Sequence, residues 1–462
     1  MVATLNETAE IAKRIIFLEN ELSPSFINRN AMNLTQDTIA FKGRKHRLKM
    51  TLQFSWLLLF VFTGIHLVQA QKSKPVTEPN SPTNSAQILS PAAKPHSIYN
   101  PNVQTSLPIS VGAENTSAYL SMLSGKKVGI VANPTSKIGN THLVDTLKKL
   151  GVKIVMVFAP EHGFRGDAEN GAHIENGVDQ KSGLTVVSLY GSHIKPSPND
   201  MKQLDVVLFD IQDVGVRFYT YLSTLHYVME ACAEHNKQLI ILDRPNPNAH
   251  YVDGPILEPE YKSFVGMHPV PIVYGMTIGE YAKMINGEFW LKDSLQCQIH
   301  VIPCKNYTHK TKYVVTVPPS PNLKSELAIS LYPSLCFFEA TTVSVGRGTE
   351  KPFEMYGHPR FPKTIYQFTP VPQIGARNPP HVNKVCNGYD LSGSLVKRTY
   401  EINLNYLTQA RDLLSDSAVF IDQNAFFNRL AGTATLMEQL YKGWSAKEIR
   451  ATWQPGIDSF ML

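Results

Sequence analysis

The chain has 462 residues, 43% hydrophobic and 18% charged, which supplies a sizeable core and excludes global disorder. The formal net charge is +6, but residues 1–70 hold eight Lys/Arg against five Asp/Glu, so about half of the excess lies there. The balance left for the remaining chain is no basis for nucleic-acid binding.

The first segment reads as targeting rather than fold. Residues 42–49, KGRKHRLK, are a basic cluster. They precede residues 52–68, LQFSWLLLFVFTGIHLV, which carry no formal charge, and Val68-Gln69-Ala70 then offers small residues at the −3 and −1 positions of a cleavage site. Basic, apolar, small is the order of a secretory signal. The competing reading is an uncleaved anchor helix, because the apolar run nears the ~20 residues that span a bilayer. The expected location is therefore exported, periplasmic or extracellular, with membrane contact only through this segment if it stays uncleaved. Residues 1–31 are long for a signal preface, which makes Met32 an alternative start. Residues 71–117 are mostly Pro, Ser, Asn, Lys and Gln without periodicity, and read as a flexible linker up to a folded part starting near Ala118.

From there strands and helices alternate. Strands are expected over 127–132 (KVGIVA), 153–159 (KIVMVFA), 185–190 (TVVSLY), 206–211 (VVLFDI) and 238–242 (QLIIL). Helices are expected over 142–150, briefly around 198–203, and over 221–234 with Leu222, Leu225, Met229 and Cys232 on one face. Unbroken apolar strands separated by helices imply right-handed crossovers and a largely parallel sheet. Beyond Gly254 the alternation stops. Helices are expected over 277–289, 404–414 and 426–440, a strand over 298–303, a rigid PPSPN turn at 318–322 and a packed tail over the last twelve residues. The expected architecture is thus α/β: a Rossmann-like parallel-sheet domain over 118–255, then a smaller mixed α+β domain over 256–462.

A parallel sheet gathers the turns that follow its strands along one edge, where α/β folds keep their ligand sites. That rim would carry Glu161, His162, Asp210, Asp213, Arg217, Asp243, Arg244 and Asn246. One polar turn is ordinary, whereas this many titratable groups on one rim is a site signature. The turn after the first strand, NPTSKIGN, is no dinucleotide fingerprint, and neither a Walker A loop nor G-x-S-x-G occurs. The five cysteines form no C-x-x-C pair; Cys297 and Cys304 are the nearest two. Asp210 and His162 leave metal binding open, without the usual spaced ligand pairs. In the second half, Gly346-Arg347-Gly348 puts a guanidinium on a tight loop suited to gripping a carboxylate, or to pairing with Glu350.

The motifs PEHGFRGD, SLYG, FDIQDVGVRFYTY, LDRPNP and SVGRGTEKPFE, in this order, resemble the exo-β-N-acetylmuramidase (NamZ-like) family from about Ala118 to the C-terminus. The resemblance implies a Rossmann-like domain joined to a smaller C-terminal domain, with the active site between them. The implied activity is removal of N-acetylmuramic acid from the non-reducing end of peptidoglycan fragments. From the absence of a nucleotide loop and of spaced ligand pairs, no cofactor or metal is expected. Glycoside hydrolysis generally uses two carboxyl groups. Glu161, rigidly placed after Pro160, is the candidate acid; the alternative is a structural pair with Arg165. Glu339 is the candidate partner, with Glu354 behind it, although Phe338-Glu339-Ala340-Thr341-Thr342 stands where the family pattern has Glu-Gly-Thr-Asn. Glu230 lies too deep in its helix, about ten residues from the rim at ~1.5 Å each. Arg217 and Arg347 are the candidate cations for the lactyl carboxylate. His162, Arg165, Asp213, Tyr219, Asn246 and Glu354 complete the candidate substrate-binding set. Two other readings stand beside this one: a non-catalytic module binding peptidoglycan fragments, and a metal-dependent envelope hydrolase.

Overall fold

The computed structural model describes residues 107–165, 177–363, 366–393, 398–414 and 420–462. The expected targeting segment and most of the expected linker lie outside them. In chain order the first half forms β1 (Val128–Ala132), α1 (Leu143–Lys149), β2 (Ile154–Ala159), β3 (Gly177–Val178), β4 (Thr185–Ser188), α2 (Pro198–Lys202), β5 (Val206–Asp210), α3 (Tyr221–Glu234) and β6 (Gln238–Leu242). Then come α4 (Ile278–Gly287) and β7 (Ile299–Ile302). These strands build a seven-stranded sheet in the order β3-β4-β2-β1-β5-β6-β7. All its pairings are parallel except that of the edge strand β3 with β4.

The apolar strands are buried on both faces, as their lack of alternation requires. On β5, Val206 and Leu208 pack with Leu143 and Leu147 of α1, while Val207 and Phe209 face α3. The face of α3 expected to be apolar is indeed buried, and eleven of the fourteen residues of α3 are buried in all. The reason is that α3 is covered twice, by the sheet and by elements from the second half, which share one continuous core with it.

Those elements are α5 (Glu326–Leu335), β8 (Met355–His358), β9 (Tyr366–Phe368), β10 (Cys386–Asp390), α6 (Asn405–Leu413), α7 (Asn424–Ala431), α8 (Thr435–Tyr441), α9 (Ala446–Ala451) and α10 (Gln454–Met461). The three strands form a small antiparallel sheet, β8-β10-β9. The fold class expected from the sequence is therefore the one observed, a mostly parallel α/β sheet with a smaller part containing an antiparallel sheet.

Several boundaries shift for physical reasons. The described residues from 107 onward belong to one compact unit, and the expected divisions at 117/118 and 255/256 fall inside it. Ordered packing starts before Ala118, because Val111 and Ala113 are buried and Gly112 N–H bonds the Asp243 carbonyl at 2.8 Å. The strand after residue 255 does not belong to a separate domain; β7 pairs with β6 and extends the main sheet. The expected helix over 426–440 is two helices. Gly432 breaks it with φ 79°, and a Cβ there would lie 2.4 Å from Nη2 of Arg217. Helix α5 was hidden in the sequence by Pro333 in its last turn. The C-terminal tail is helical and inserts Trp453 and Ile457 into the core. The five cysteines are free thiols.

Arg217 joins the halves. It is 1% exposed and has no carboxylate partner among the described residues. Instead Nη1 donates to the carbonyls of Pro255 and Val270 at 2.8 and 2.6 Å, and Nη2 to those of Leu430 and Ala431 at 3.3 and 2.6 Å. The last two acceptors are at the C-terminus of α7, where unpaired carbonyls carry partial negative charge. Burial pushes the guanidinium pKa down to about 9, still protonated at neutral pH. Replacing Arg217 by Met should lower unfolding free energy by at least ~3 kcal/mol, since it strands several buried acceptors. Chemical denaturation of the variant measures this.

Candidate active site

A cavity of about 200 Å³ opens beyond the carboxyl ends of β2, β4 and β5. Glu161 and His162 reach it from the turn after β2, Tyr190 from the turn after β4, and Phe218, Tyr219 and Thr220 from the loop before α3. The opposite wall comes from the second half: Tyr332 on α5, Cys336 and Glu339 on the 3-10 turn Cys336–Ala340, Arg347 and Phe353 on the loop before β8, and Phe426 and Leu430 on α7.

The backbone places these side chains at some conformational cost. Pro160 fixes the exit from β2, and Gly163 N–H closes the turn onto the Pro160 carbonyl at 3.0 Å. His162 sits within that turn at φ 71°, and Phe353 sits across the cavity at φ 61°. Bulky residues rarely take this left-handed region, and such outliers gather at functional sites. Arg347 is held by Gly346 and Gly348, at φ 76° and 82°. A Cβ on the first would meet Met355 Cγ at 2.6 Å, and on the second Pro379 Cγ at 2.6 Å, so glycine is required on both sides of Arg347.

Two carboxylates face the cavity. Glu161 is 6% exposed and its Oε2 accepts from Thr220 Oγ1 at 2.7 Å. The Tyr190 phenol lies against the same carboxylate; burial first, then the Glu161 charge, pushes its pKa up, so it stays protonated. Glu339 forms an ion pair with Arg347, and Cys336 Sγ approaches its Oε2 at 3.5 Å. Burial works against the Arg347 charge, but the Glu339 carboxylate outweighs it and holds the guanidinium pKa above its ordinary value. Aromatic rings line the floor: Tyr219 packs edge-on against Tyr332 at 5.8 Å, and Tyr332 against Phe353 at 5.0 Å. Of the sequence-predicted site residues, Glu161, His162, Tyr219, Glu339 and Arg347 come together here.

The other candidates do not. Arg165 turns away into an ion-pair cluster with Asp145 and Asp179, at 3.2 and 2.8 Å, and its guanidinium covers Phe164. It therefore does not pair with Glu161 either. Arg217 is the structural tie described above and contributes no surface to the cavity. Asp213 folds back on its own loop, accepting from Gly215 N–H at 2.7 Å and from the Tyr274 hydroxyl at 2.5 Å. Asn246 bonds Met276 and Asn248 main chain. Glu354 accepts from Ser325, the residue capping α5. Glu230 pairs with Lys195 at 2.6 Å, in keeping with its exclusion by depth.

The remaining rim charges are also engaged within the turns. Asp210, fully buried, takes a two-pronged bond from Arg244 at 2.6 and 2.9 Å, so neither is open to a metal or ligand. Asp243 accepts from Thr277 and Gly279 at the start of α4. Among the described residues no three His, Cys, Asp or Glu converge as a metal-holding group. Sequence reasoning missed Thr220, Tyr190, Tyr332 and Cys336. The first two stand in quoted motifs, YTY and SLYG, at strand ends, but nothing in the sequence ties their hydroxyls to a particular partner.

Fold and site together define an α/β protein that presents a paired-carboxylate pocket at the carboxyl edge of a parallel sheet. Family models for the exo-beta-N-acetylmuramidase NamZ match the chain in two adjoining parts, the N-terminal model over residues 128–326 and the C-terminal model over 330–462. The peptidoglycan beta-N-acetylmuramidase NamZ of Bacillus subtilis (strain 168) is 34% identical over 400 residues, covering 82% of this chain and 94% of that protein. Two solved DUF1343 family proteins from Bacteroides fragilis NCTC 9343 share the fold. One is 47% identical at a TM-score of 0.71, covering 77% of this chain and 97% of its own. The other is 29% identical at 0.66, covering 76% and 96%. The chain belongs to the exo-beta-N-acetylmuramidase NamZ family.

Burial raises the pKa of both Asp213 and Asp243 to about 6, against the hydrogen bonds they accept. A raised carboxyl contributes stability fully below its unfolded value, near 3.8, and loses it as pH rises through about 6. In a melting series across this window, Asp213→Asn should flatten the decline expected of the wild type. An unchanged slope would contradict the burial assigned to Asp213.

Proposed function

We propose that this protein is an exo-acting glycoside hydrolase that releases N-acetylmuramic acid from the non-reducing end of peptidoglycan fragments, in cell-wall turnover. The observation that carries the reading is the convergence of Glu161, Glu339 and Arg347 on one small cavity, in a chain that belongs to this family. A cavity of about 200 Å³ suits one terminal sugar unit and not a long open cleft along a glycan strand.

Each group has a chemical role in this reading. Glu161, buried and fixed by a hydroxyl, donates a proton to the leaving glycosidic oxygen. Glu339 supplies the second carboxylate, either acting directly on the anomeric centre or its water, or orienting the substrate's own acetamido group. Arg347 grips the lactyl carboxylate that distinguishes N-acetylmuramic acid from N-acetylglucosamine. Since Glu339 already occupies this guanidinium, the lactyl group must share or replace that contact. His162 and Tyr219 orient hydroxyls or the acetamide, and the aromatic floor covers apolar faces of the ring.

We also propose export, supported by the basic, apolar and small-residue order of residues 42–70. Cell fractionation of the full chain, finding it retained in the cytoplasm, would remove this part of the reading.

Turnover of a chromogenic N-acetylmuraminide by residues 71–462 tests the whole assignment. Glu161→Gln should reduce turnover by ~10²–10⁴-fold while leaving the melting midpoint in place. Inert wild type that still binds muropeptides would point to the non-catalytic module instead. Arg347→Ala should weaken binding of the lactyl-bearing sugar by ~10-fold or more, with little change for the N-acetylglucosamine analogue. Equal losses for both sugars would refute the role given to Arg347.

A further inference from the structure

Thr220 stands where its hydroxyl has two possible uses. It is the N-cap residue of α3, and a threonine there ordinarily accepts a hydrogen bond from an N–H two or three residues on. No such side-chain cap forms. Ser223 and Thr224 N–H groups both go to the Thr220 main-chain carbonyl, each at 3.0 Å. The backbone of Thr220 is already helical, φ −68° and ψ −9°, unlike the extended backbone usual for a capping residue. The hydroxyl is thereby turned to the cavity, where it donates to Oε2 of Glu161 at 2.7 Å across 59 residues of sequence. A capping contact is given up in favour of a contact between two strand ends.

We infer that Thr220 is a positioning residue for Glu161, its hydroxyl fixing the carboxyl rotamer and marking Oε2 as the accepting oxygen. A hydroxyl has one proton to donate. With that proton pointing at Oε2, this oxygen is held as an acceptor and the carboxyl plane is fixed relative to the cavity. Tyr190 lies against the same carboxylate from the neighbouring turn, so the group is steadied by hydroxyls from two different strand ends. Thr220 acts through Glu161, and the inference rests on the acid role proposed for Glu161.

The test compares Thr220→Val, which keeps shape and removes the donor, with Thr220→Ser, which keeps the donor and removes the methyl. Thr220→Ala provides a second donor-free variant should valine perturb the helix start. Steady-state kinetics on the chromogenic N-acetylmuraminide should show kcat of Thr220→Val and Thr220→Ala reduced ~10–100-fold. KM should stay within ~3-fold and Thr220→Ser should recover most of the rate. Combined with Glu161→Gln, Thr220→Val should add little further loss, because both changes disable one unit. Unchanged kcat in the donor-free variants, failure of serine to rescue, or a loss confined to KM would each overturn the inference. The two readings fail separately: an active Glu161→Gln removes the acid assignment, whereas an inactive Glu161→Gln beside a fully active Thr220→Val removes only the role of Thr220.

Discussion

A charged or polar group taken out of water must find its partners inside the protein, and this requirement shapes the whole carboxyl edge of the sheet. Arg217 is its clearest instance. Buried, it has its two terminal nitrogens satisfied by four carbonyls, two from the stretch between β6 and α4 and two from the end of α7, while its Nε finds no partner among the described residues. The contact fixes the second half of the chain against the first, and it also dictates Gly432, where any side chain would strike the guanidinium. The cavity exists because these two halves are held at this spacing: Glu161 and Thr220 stand on one side, Glu339 and Arg347 on the other.

The same requirement sorts the rim into structure and site. Asp210 pairs with Arg244, Oδ2 of Asp213 accepts from Tyr274, and Asp243 accepts from Thr277, each contact holding a turn. Glu161 and Glu339 are also hydrogen-bonded, but their partners lie in the cavity wall with them. A substrate entering there meets groups whose orientation has been set and whose contacts it can extend or exchange. Preorganised charge of this kind, in a pocket lined by aromatic rings, is what bond cleavage at a sugar centre calls for.

The second half does more than close the pocket. It shares its core with α3 and the sheet, so the cavity wall is braced by the same packing that stabilises the fold. Strain at His162 and Phe353 is tolerable for that reason: both lie on short turns anchored in buried surroundings on either side of the cavity. The Gly-Arg-Gly loop follows the same logic, with glycines where neighbouring atoms leave no room and one arginine where the charge is needed.

Local pattern in the chain was sufficient for five of the seven strands, the helices between them and the rim, because periodicity and apolar runs are local consequences of burial; the short edge strand β3 and the membership of β7 in this sheet were not legible. The motifs around Glu161, Tyr219, Glu339 and Arg347 were legible for a similar reason, being contiguous stretches with their own turn chemistry. Partnership was not legible. Arg165, Arg217, Asp213, Asn246 and Glu354 look as functional in one dimension as Glu161 does, yet each is bound to a residue or carbonyl that only the folded chain brings near. Thr220 was overlooked for the converse reason, since a hydroxyl acquires its role from the carboxylate 59 positions away that it touches. Composition and spacing thus determined which groups reach the carboxyl edge of the sheet. Which of them face a substrate was decided by tertiary structure, because hydrogen bonds in a buried rim are made across the chain and not along it.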